Sequence, residues 1–402
     1  MTTALISPIR PYVRADPRWR IAAVSLAVGA GHRADREGHR GLAHLSEHLV
    51  MRHRPTAHGP DLFAWLEGVG GIAEAHTWPD HSAFTLLVPP AAVGEAIQRF
   101  AAAMPGPAAQ QVMAEEIDKI EEEIDALGPG RGFPWGLAAA ALYGGDPVPA
   151  DGFGLRADLR RLSVEQVSVH QRAHYVPVNS ALAVVGDIRP RQVQRLIDQV
   201  YAGSSAPPAP GAAPAPRAGT RTVRRPGEPP AVLLAYPMPD LHQDPASYLA
   251  TVMLTAVVAR RVQATVPSPV RIGFRAGMFG AAFHARHADL ALAHVRGGPE
   301  TAHSALRGYV DRVLLQVGAG PVHRSEMERA ADTLRLHLLE DLDGPDGHAS
   351  MAARAALLWP AVGPPHHLTE QIRVLPPDAV SRAAERLTAG PVAEIRVIGS
   401  PP

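Results

Sequence analysis

The sequence predicts an α+β chain built from a duplicated unit. Three observations carry this reading. Strand-like apolar runs and amphipathic helical stretches are mixed in each half of the 402 residues. The segment order repeats between the halves, and the closing stretch VAEIRVIGS echoes the apolar pattern of LAVVGDI near the end of the first half. Between the halves, residues 204–217 read SSAPPAPGAAPAPR. That composition has no bulky apolar side chain to bury, so it reads as a semi-extended linker. The low-complexity run continues to Pro230. The expected boundaries are therefore 1–203, a linker at 204–230, and a homologous domain at 231–402.

In the first half, WRIAAVSLAVGAG reads as a buried strand, followed by the polar loop HRADREGHRG and a helical stretch, GLAHLSEHLV. HSAFTLLVP reads as a strand and AAVGEAIQRFAAAM as an amphipathic helix. QQVMAEEIDKIEEEIDAL reads as a long helix, with Val112, Ile117, Ile120, Ile124 and Leu127 at mixed three- and four-residue steps. NSALAVVGDI is a strand and RPRQVQRLIDQVY a helix. In the second half, PAVLLAYPMP, HADLALAHVRG and VAEIRVIGS read as strands. ASYLATVMLTAVVARRVQA, HSALRGYVDRVLLQV, HRSEMERAADTLRLHLLEDL and DAVSRAAERLT read as helices.

Composition removes several function classes. Basic and acidic residues balance at 39 each, which gives no global attraction to nucleic acid or to an anionic membrane. The chain has no cysteine, so any metal must rest on His, Asp or Glu. No run reaches the roughly 18 to 20 apolar residues of a membrane span, and the N-terminal stretch lacks an apolar leader core. A cytoplasmic protein is the expectation.

GLAHLSEHLV carries the chemistry. On a helix, His44, Glu47 and His48 share one face. Two imidazoles four residues apart reach a single Zn²⁺, which lowers the pKa of a bound water toward about 7. Glu47 stands beside them as the base. The order is H-x-x-E-H, the inverted form of the zinc-hydrolase motif. The bland reading is an amphipathic helix that carries two of the chain's 20 histidines by chance. A catalytic zinc needs a third protein ligand, and EEIDKIEEEIDA offers acidic candidates on a separate helix.

The strand, the polar loop, GLAHLSEHLV and the downstream glutamate helix together resemble the pitrilysin/insulinase family of zinc peptidases. The nearer branch is that of the short bacterial members, similar to mitochondrial processing peptidase subunits. The resemblance implies two homologous α/β-sandwich domains that form half of a clamshell. The family's third ligand is a Glu seven residues after another important Glu, in the pattern E-R-x-V-x-x-x-E. EIDKIEEE, residues 116–123, matches it. The resemblance thus implies Glu123 as zinc ligand and Glu116 as the acid behind the ligands. Glu122 with Glu115 is the competing pair; the apolar Ile124 after Glu123 favours the first choice. Glu115, Glu121 and Glu122 read otherwise as a solvated face. GGIAEAHTWPDHSAFTLLV resembles the family's G-G-x-x-N-A-x-T segment, an edge strand that pairs with substrate. Here Ala75, His76 and Thr77 would pair, and Glu74 replaces the Asn. His76 and His81 read as surface residues. HYVPVNSALAVVGD resembles a structural Y-x-P-x-N-x-x-L-x-V-V-G-D segment.

The second half departs from the family. Active members carry an Arg and a Tyr near the scissile carbonyl, in a pattern like L-R-x-x-x-G-x-x-Y. VPSPVRIGF, residues 266–274, places Pro267 and Phe274 there. Arg271 or Arg275 is left as a possible substitute for the Arg. Losing one oxyanion donor costs on the order of 10²–10³ in turnover. The expectation is a zinc endopeptidase subunit, with one Zn²⁺ per chain, acting on short or unfolded peptides in an enclosed chamber. A homologous partner chain would supply the Arg/Tyr pair in a heterodimer, and leader-peptide removal from a ribosomally made natural product is a candidate task. The competing reading is a catalytically silent peptide-binding or assembly subunit.

Overall fold

The structure is a computed structural model and describes residues 8–56, 58–104, 110–145, 149–203 and 214–400. Its strands are β1 Arg10–Ala15, β2 Ala22–Val28, β3 Ile72–Thr77, β4 Ser82–Val88, β5 Ser180–Gly186, β6 Gly219–Pro226, β7 Ala231–Pro237, β8 Arg271–Ala276, β9 Leu290–Arg296 and β10 Ala393–Ser400. Helices of the first half are α1 Leu42–Met51, α2 Leu62–Val69, α3 Val93–Ala103, α4 Gln110–Leu127, α5 Trp135–Tyr143, α6 Arg156–Leu159, α7 Val164–His174 and α8 Pro190–Val200. Those of the second are α9 Pro245–Thr265, α10 His303–Gly318, α11 Arg324–Asp341, α12 Pro345–Leu358, α13 Pro365–Val374 and α14 Pro377–Ala389.

The duplication is visible in the sheets. One has the order β1-β5-β2-β4-β3 and the other β6-β10-β7-β9-β8. Adding five to each strand number turns the first order into the second. The hands match too: β1 runs parallel to β5 and β6 parallel to β10, while the other pairs in each sheet are antiparallel.

Strand alternation sorts the first sheet into two different faces. Val24, Leu26, Phe84, Leu86, Leu182 and Val184 join Trp65, Ile97, Phe100 and Ile197 in one core. The register puts small residues on the other face, among them Ala23, Ser25, Ala27, Thr85, Ala181 and Ala183. Ser25 and Thr85 satisfy each other there at 3.0 Å. Small side chains admit a close-lying helix, and α12 covers this face with Ala349, Ala352 and Ala353 buried.

That helix comes from the far end of the chain, so the expected linear domains need correction. The compact units are 1–131 with 152–211 and 339–365, and 132–151 with 212–338 and 366–402. In the second unit α5, from the first half, packs Ala138 and Leu142 on Leu233, Leu292, Ile395 and Val397. α5 and α12 hold equivalent places in the repeat, and each belongs to the other half's unit. Their small, apolar sequences announce burial but not which sheet they cover. The linker is shorter than expected as well. Residues 204–213 lie outside the described residues, and 219–226 form β6, fixed by pairing with β10. Among the described residues, no helix is long and apolar enough to cross a membrane.

Expressed alone, residues 1–203 leave the Ala23, Ser25 and Ala27 face bare. They are expected to lose cooperative unfolding in urea, and a peptide of residues 339–365 is expected to restore it. A cooperative transition from the fragment without the peptide would show that α12 is dispensable.

Candidate metal centre

α1 begins at a fixed point. Gly41 has φ 103°, and a β-carbon there would lie 2.7 Å from Leu159, so both conformation and space demand glycine. The Asp35 carboxylate accepts the Gly41 N–H at 2.8 Å and the Ala43 N–H at 3.0 Å. The Asp35 side chain thus closes the positive end of the helix, although burial pushes its carboxyl up to about 7 against those backbone bonds. Leu42, Leu45 and Leu49 pack against Met113, Ile117, Ile120 and Ile124 of α4.

This apolar seam sets the histidines of α1 against the glutamates of α4. Glu116 and Glu123 are seven residues apart, about two turns, and so share a helix face. His48 Nδ1 lies 3.0 Å from Glu116 Oε2. Its Nε2 lies 3.6 Å from Glu123 Oε1, and His44 Nε2 lies 3.4 Å from Glu123 Oε2. One ligand atom from each of His44, His48 and Glu123 falls within 4.8 Å of the others. Ligands 2.0–2.1 Å from a tetrahedral zinc stand about 3.3 Å apart. The spacing and the two-imidazole, one-carboxylate set therefore fit that ion. Glu122 and Glu115 are exposed. Glu121 is not freely solvated, since Arg160 grips both of its oxygens at 2.7 Å.

The electrostatics suit a ligand group with a base beside it. Burial pushes His44 down to about 3, helped by the charge on His48, so its ring stays neutral. Burial pulls His48 down too, but the hydrogen bond to Glu116 and the charges of Glu47, Glu123 and Glu116 outweigh it and raise it. Burial pushes Glu47 up to about 7, against the hydrogen bond from Thr77. A dication in the group would favour the ionised form instead. Glu116 is opposed by burial yet held low by hydrogen bonds from His48 and Lys119.

Among the described residues β3 is an edge strand, paired only with β4. Its backbone beyond Ala75, His76 and Thr77 has no neighbouring strand in its sheet. Thr77 Oγ1 donates to Glu47 Oε2 at 2.5 Å, so the edge strand is tied to the helix by a side chain read from the sequence only as a backbone contact. Glu74 and His76 are exposed and alternate with Thr77, pointing from the opposite face of the strand. His76 is a surface residue as expected. His81 is a correction: it is fully buried, its ring parallel to that of Trp78 at 6.3 Å. In the second unit Phe274 is buried against Tyr236 at 5.8 Å, while Arg271 and Arg275 are exposed on β8. Asp35, Lys119 and Phe153, whose ring meets His44 edge-on at 5.3 Å, are site residues that the sequence reading missed. Asp35, six residues ahead of Gly41, carried the one readable signal: an acid placed to close a helix start.

The insulinase model of peptidase family M16 matches residues 12–128, which include His44, Glu47, His48, Glu116 and Glu123. A model described as the peptidase M16 inactive domain matches residues 161–264. Together they span just over half of the chain. The chain belongs to peptidase family M16. Uncharacterized zinc proteases of Mycobacterium leprae and Streptomyces coelicolor are each 26% identical to it, over 221 and 231 residues. Those matches cover 51% and 56% of this M16 chain and 48% and 50% of the relatives. The chain thus spans about half the length of the curated relatives it matches. The fold is also that of a protease from Helicobacter pylori, with a TM-score of 0.79 and 16% identity over 98% of each chain. In this M16 chain α9 holds the place in the second repeat that α1 holds in the first, and α9 contains no histidine.

Against burial, the hydrogen bond to Glu116 and the neighbouring carboxylates raise His48, so a metal bound there would displace a proton held more tightly than on a free imidazole. In Glu116→Gln that support is gone, so fewer protons leave per zinc bound and zinc affinity falls by about 10- to 100-fold. Calorimetric titration of the metal-free chain in two buffers of different ionisation enthalpy measures both. Equal proton release in wild type and variant would contradict the assigned electrostatics.

Proposed function

We propose that this M16 chain is a zinc endopeptidase subunit, with His44, His48 and Glu123 as the ligands of one Zn²⁺. The convergence of those three side chains, with Glu47 beside them, is the observation that carries the proposal. Zinc held there supplies a low-pKa water and polarises the peptide carbonyl. Thr77 occupies Glu47 Oε2, which leaves Oε1 to take the proton and later pass it to the leaving amine. Glu116 orients His48 by accepting its Nδ1–H, which leaves the Nε2 lone pair on the Glu123 side. A peptide strand added along β3 runs past Ala75, His76 and Thr77, of which Ala75 and Thr77 turn their backbone groups away from β4. Glu74 takes the position of the family's Asn and accepts hydrogen bonds where an amide would also donate them.

Phe274 has no hydroxyl, and it is buried in its own unit's core. Pro267 has no side-chain donor at all. These two residues support a heterodimer, in which a homologous chain supplies the Arg/Tyr pair. They also favour the second reading, a silent peptide-binding or assembly subunit. The substrate class is a short or unfolded peptide in the cytoplasm, with the leader of a ribosomally made natural product as a candidate. No nucleic acid or membrane enters the scheme.

Metal content and hydrolysis separate the readings. The wild-type chain is expected to bind about one zinc and His44→Ala none. Glu47→Gln keeps the zinc, but its hydrolysis of unfolded peptides falls by about 10²- to 10⁴-fold, since an amide cannot accept the proton. Activity is expected only with a co-expressed homologue. Full activity from the isolated chain would remove the partner, and a wild-type chain without zinc would favour the silent subunit.

A further inference from the structure

Lys119 is the only lysine in the 402 residues, among 38 arginines. It stands on α4 one turn after Glu116, where its Nζ donates to Glu116 Oε1 at 2.7 Å. The other oxygen of that carboxylate, Oε2, faces His48 Nδ1. Glu116 is buried, with 3% of its side chain exposed, while half of the Lys119 side chain reaches solvent. Arg52 is the other cation nearby, but its Nε lies 3.4 Å from Oε1 and 3.7 Å from Asp61, and it extends to Glu115 at 3.5 Å. A cation spread over three carboxylates makes no short bond to any of them. Lys119 is thus the close donor to a buried carboxylate that itself orients a ligand.

We propose that Lys119 is a positioning residue of the metal centre. By holding Oε1 it fixes the rotation of the Glu116 carboxylate, and Oε2 stays aimed at His48 Nδ1. That bond selects the tautomer whose Nε2 lone pair faces Glu123. Two effects of the ammonium compete. Its charge repels a nearby dication, but with half of the side chain in water that repulsion is screened. The orienting effect acts through a buried carboxylate and is not. Neutralising this single amine should therefore weaken zinc binding. The expected loss is about three- to ten-fold, smaller than for a direct partner of a ligand because Lys119 stands one layer further out. The inference rests on the ligand set proposed above.

The test is competition for zinc between a chromophoric chelator and the metal-free full-length chain, with a metal-free melting curve recorded for each protein. Four samples are compared: wild type, Lys119→Arg, Lys119→Gln, and wild type treated with the N-hydroxysuccinimide ester of acetate. In that reaction Nζ attacks the acyl carbon and an N–C bond forms. The ester C–O bond breaks, N-hydroxysuccinimide departs as its anion, and the amine proton passes to buffer. Treated Lys119→Arg, which has no side-chain amine, controls for acetylation of the terminal amine. Lys119→Gln and acetylated wild type are expected to lose more than two-fold in affinity. Lys119→Arg, treated or not, is expected to stay within two-fold of wild type, with all metal-free melting curves superimposed. Affinity within two-fold of wild type for Lys119→Gln overturns the proposal, as does an equal loss in Lys119→Arg. A wild-type chain that takes up no zinc overturns the ligand set instead, so the two failures are distinguishable.

Discussion

The candidate metal centre depends on one apolar contact, the seam between α1 and α4. Leu45 and Leu49 on one helix, and Ile117, Ile120 and Ile124 on the other, are buried together. They hold helices far apart in the chain so that ligand atoms of His44, His48 and Glu123 fall within 4.8 Å. Metal–ligand distances tolerate only about 0.2 Å, so the seam must be close-packed to be useful. A larger or smaller side chain there would shift one helix against the other and misplace a ligand without touching it.

The same packing sets the charges. Excluding water around α1 makes a neutral His44 and a reluctant Glu47 out of ordinary side chains. Polar bonds then correct what burial would overdo. Thr77 supports the Glu47 carboxylate, and Glu116 supports His48. The Thr77 bond also couples the edge strand to the base. A peptide that orders β3 would steady Glu47 through the same hydrogen bond.

Much of this was legible in the residues, for a physical reason in each case. His44, Glu47 and His48 obey helical spacing, and α4 runs over the residues its apolar steps predict, Gln110–Leu127. The choice of Glu123 over Glu122 rested on resemblance; Glu123, still partly exposed, lies 3.4 Å from His44 and 3.6 Å from His48. The repeat was visible because both closing strands are apolar runs in equivalent places. What stayed hidden depends on long-range pairing. β6 reads as part of the Ala/Pro-rich linker because the strand it pairs with, β10, comes some 170 residues later. Thr77 reads as a backbone contact because nothing local marks its hydroxyl's partner 30 residues back. His81 reads as surface because a lone histidine carries no sign of the Trp78 ring stacked on it.

The exchange of α5 and α12 has a consequence for how the chain is made. Domains commonly fold as they leave the ribosome, the N-terminal one first. Here the sheet beneath the metal centre lacks its second cover until residues 345–358 have emerged. Its face of small side chains must wait through the synthesis of most of the second repeat. The order of synthesis thus couples completion of the first unit to synthesis of most of the second repeat. A chain released early by a stalled ribosome would carry H-x-x-E-H on an unfinished scaffold.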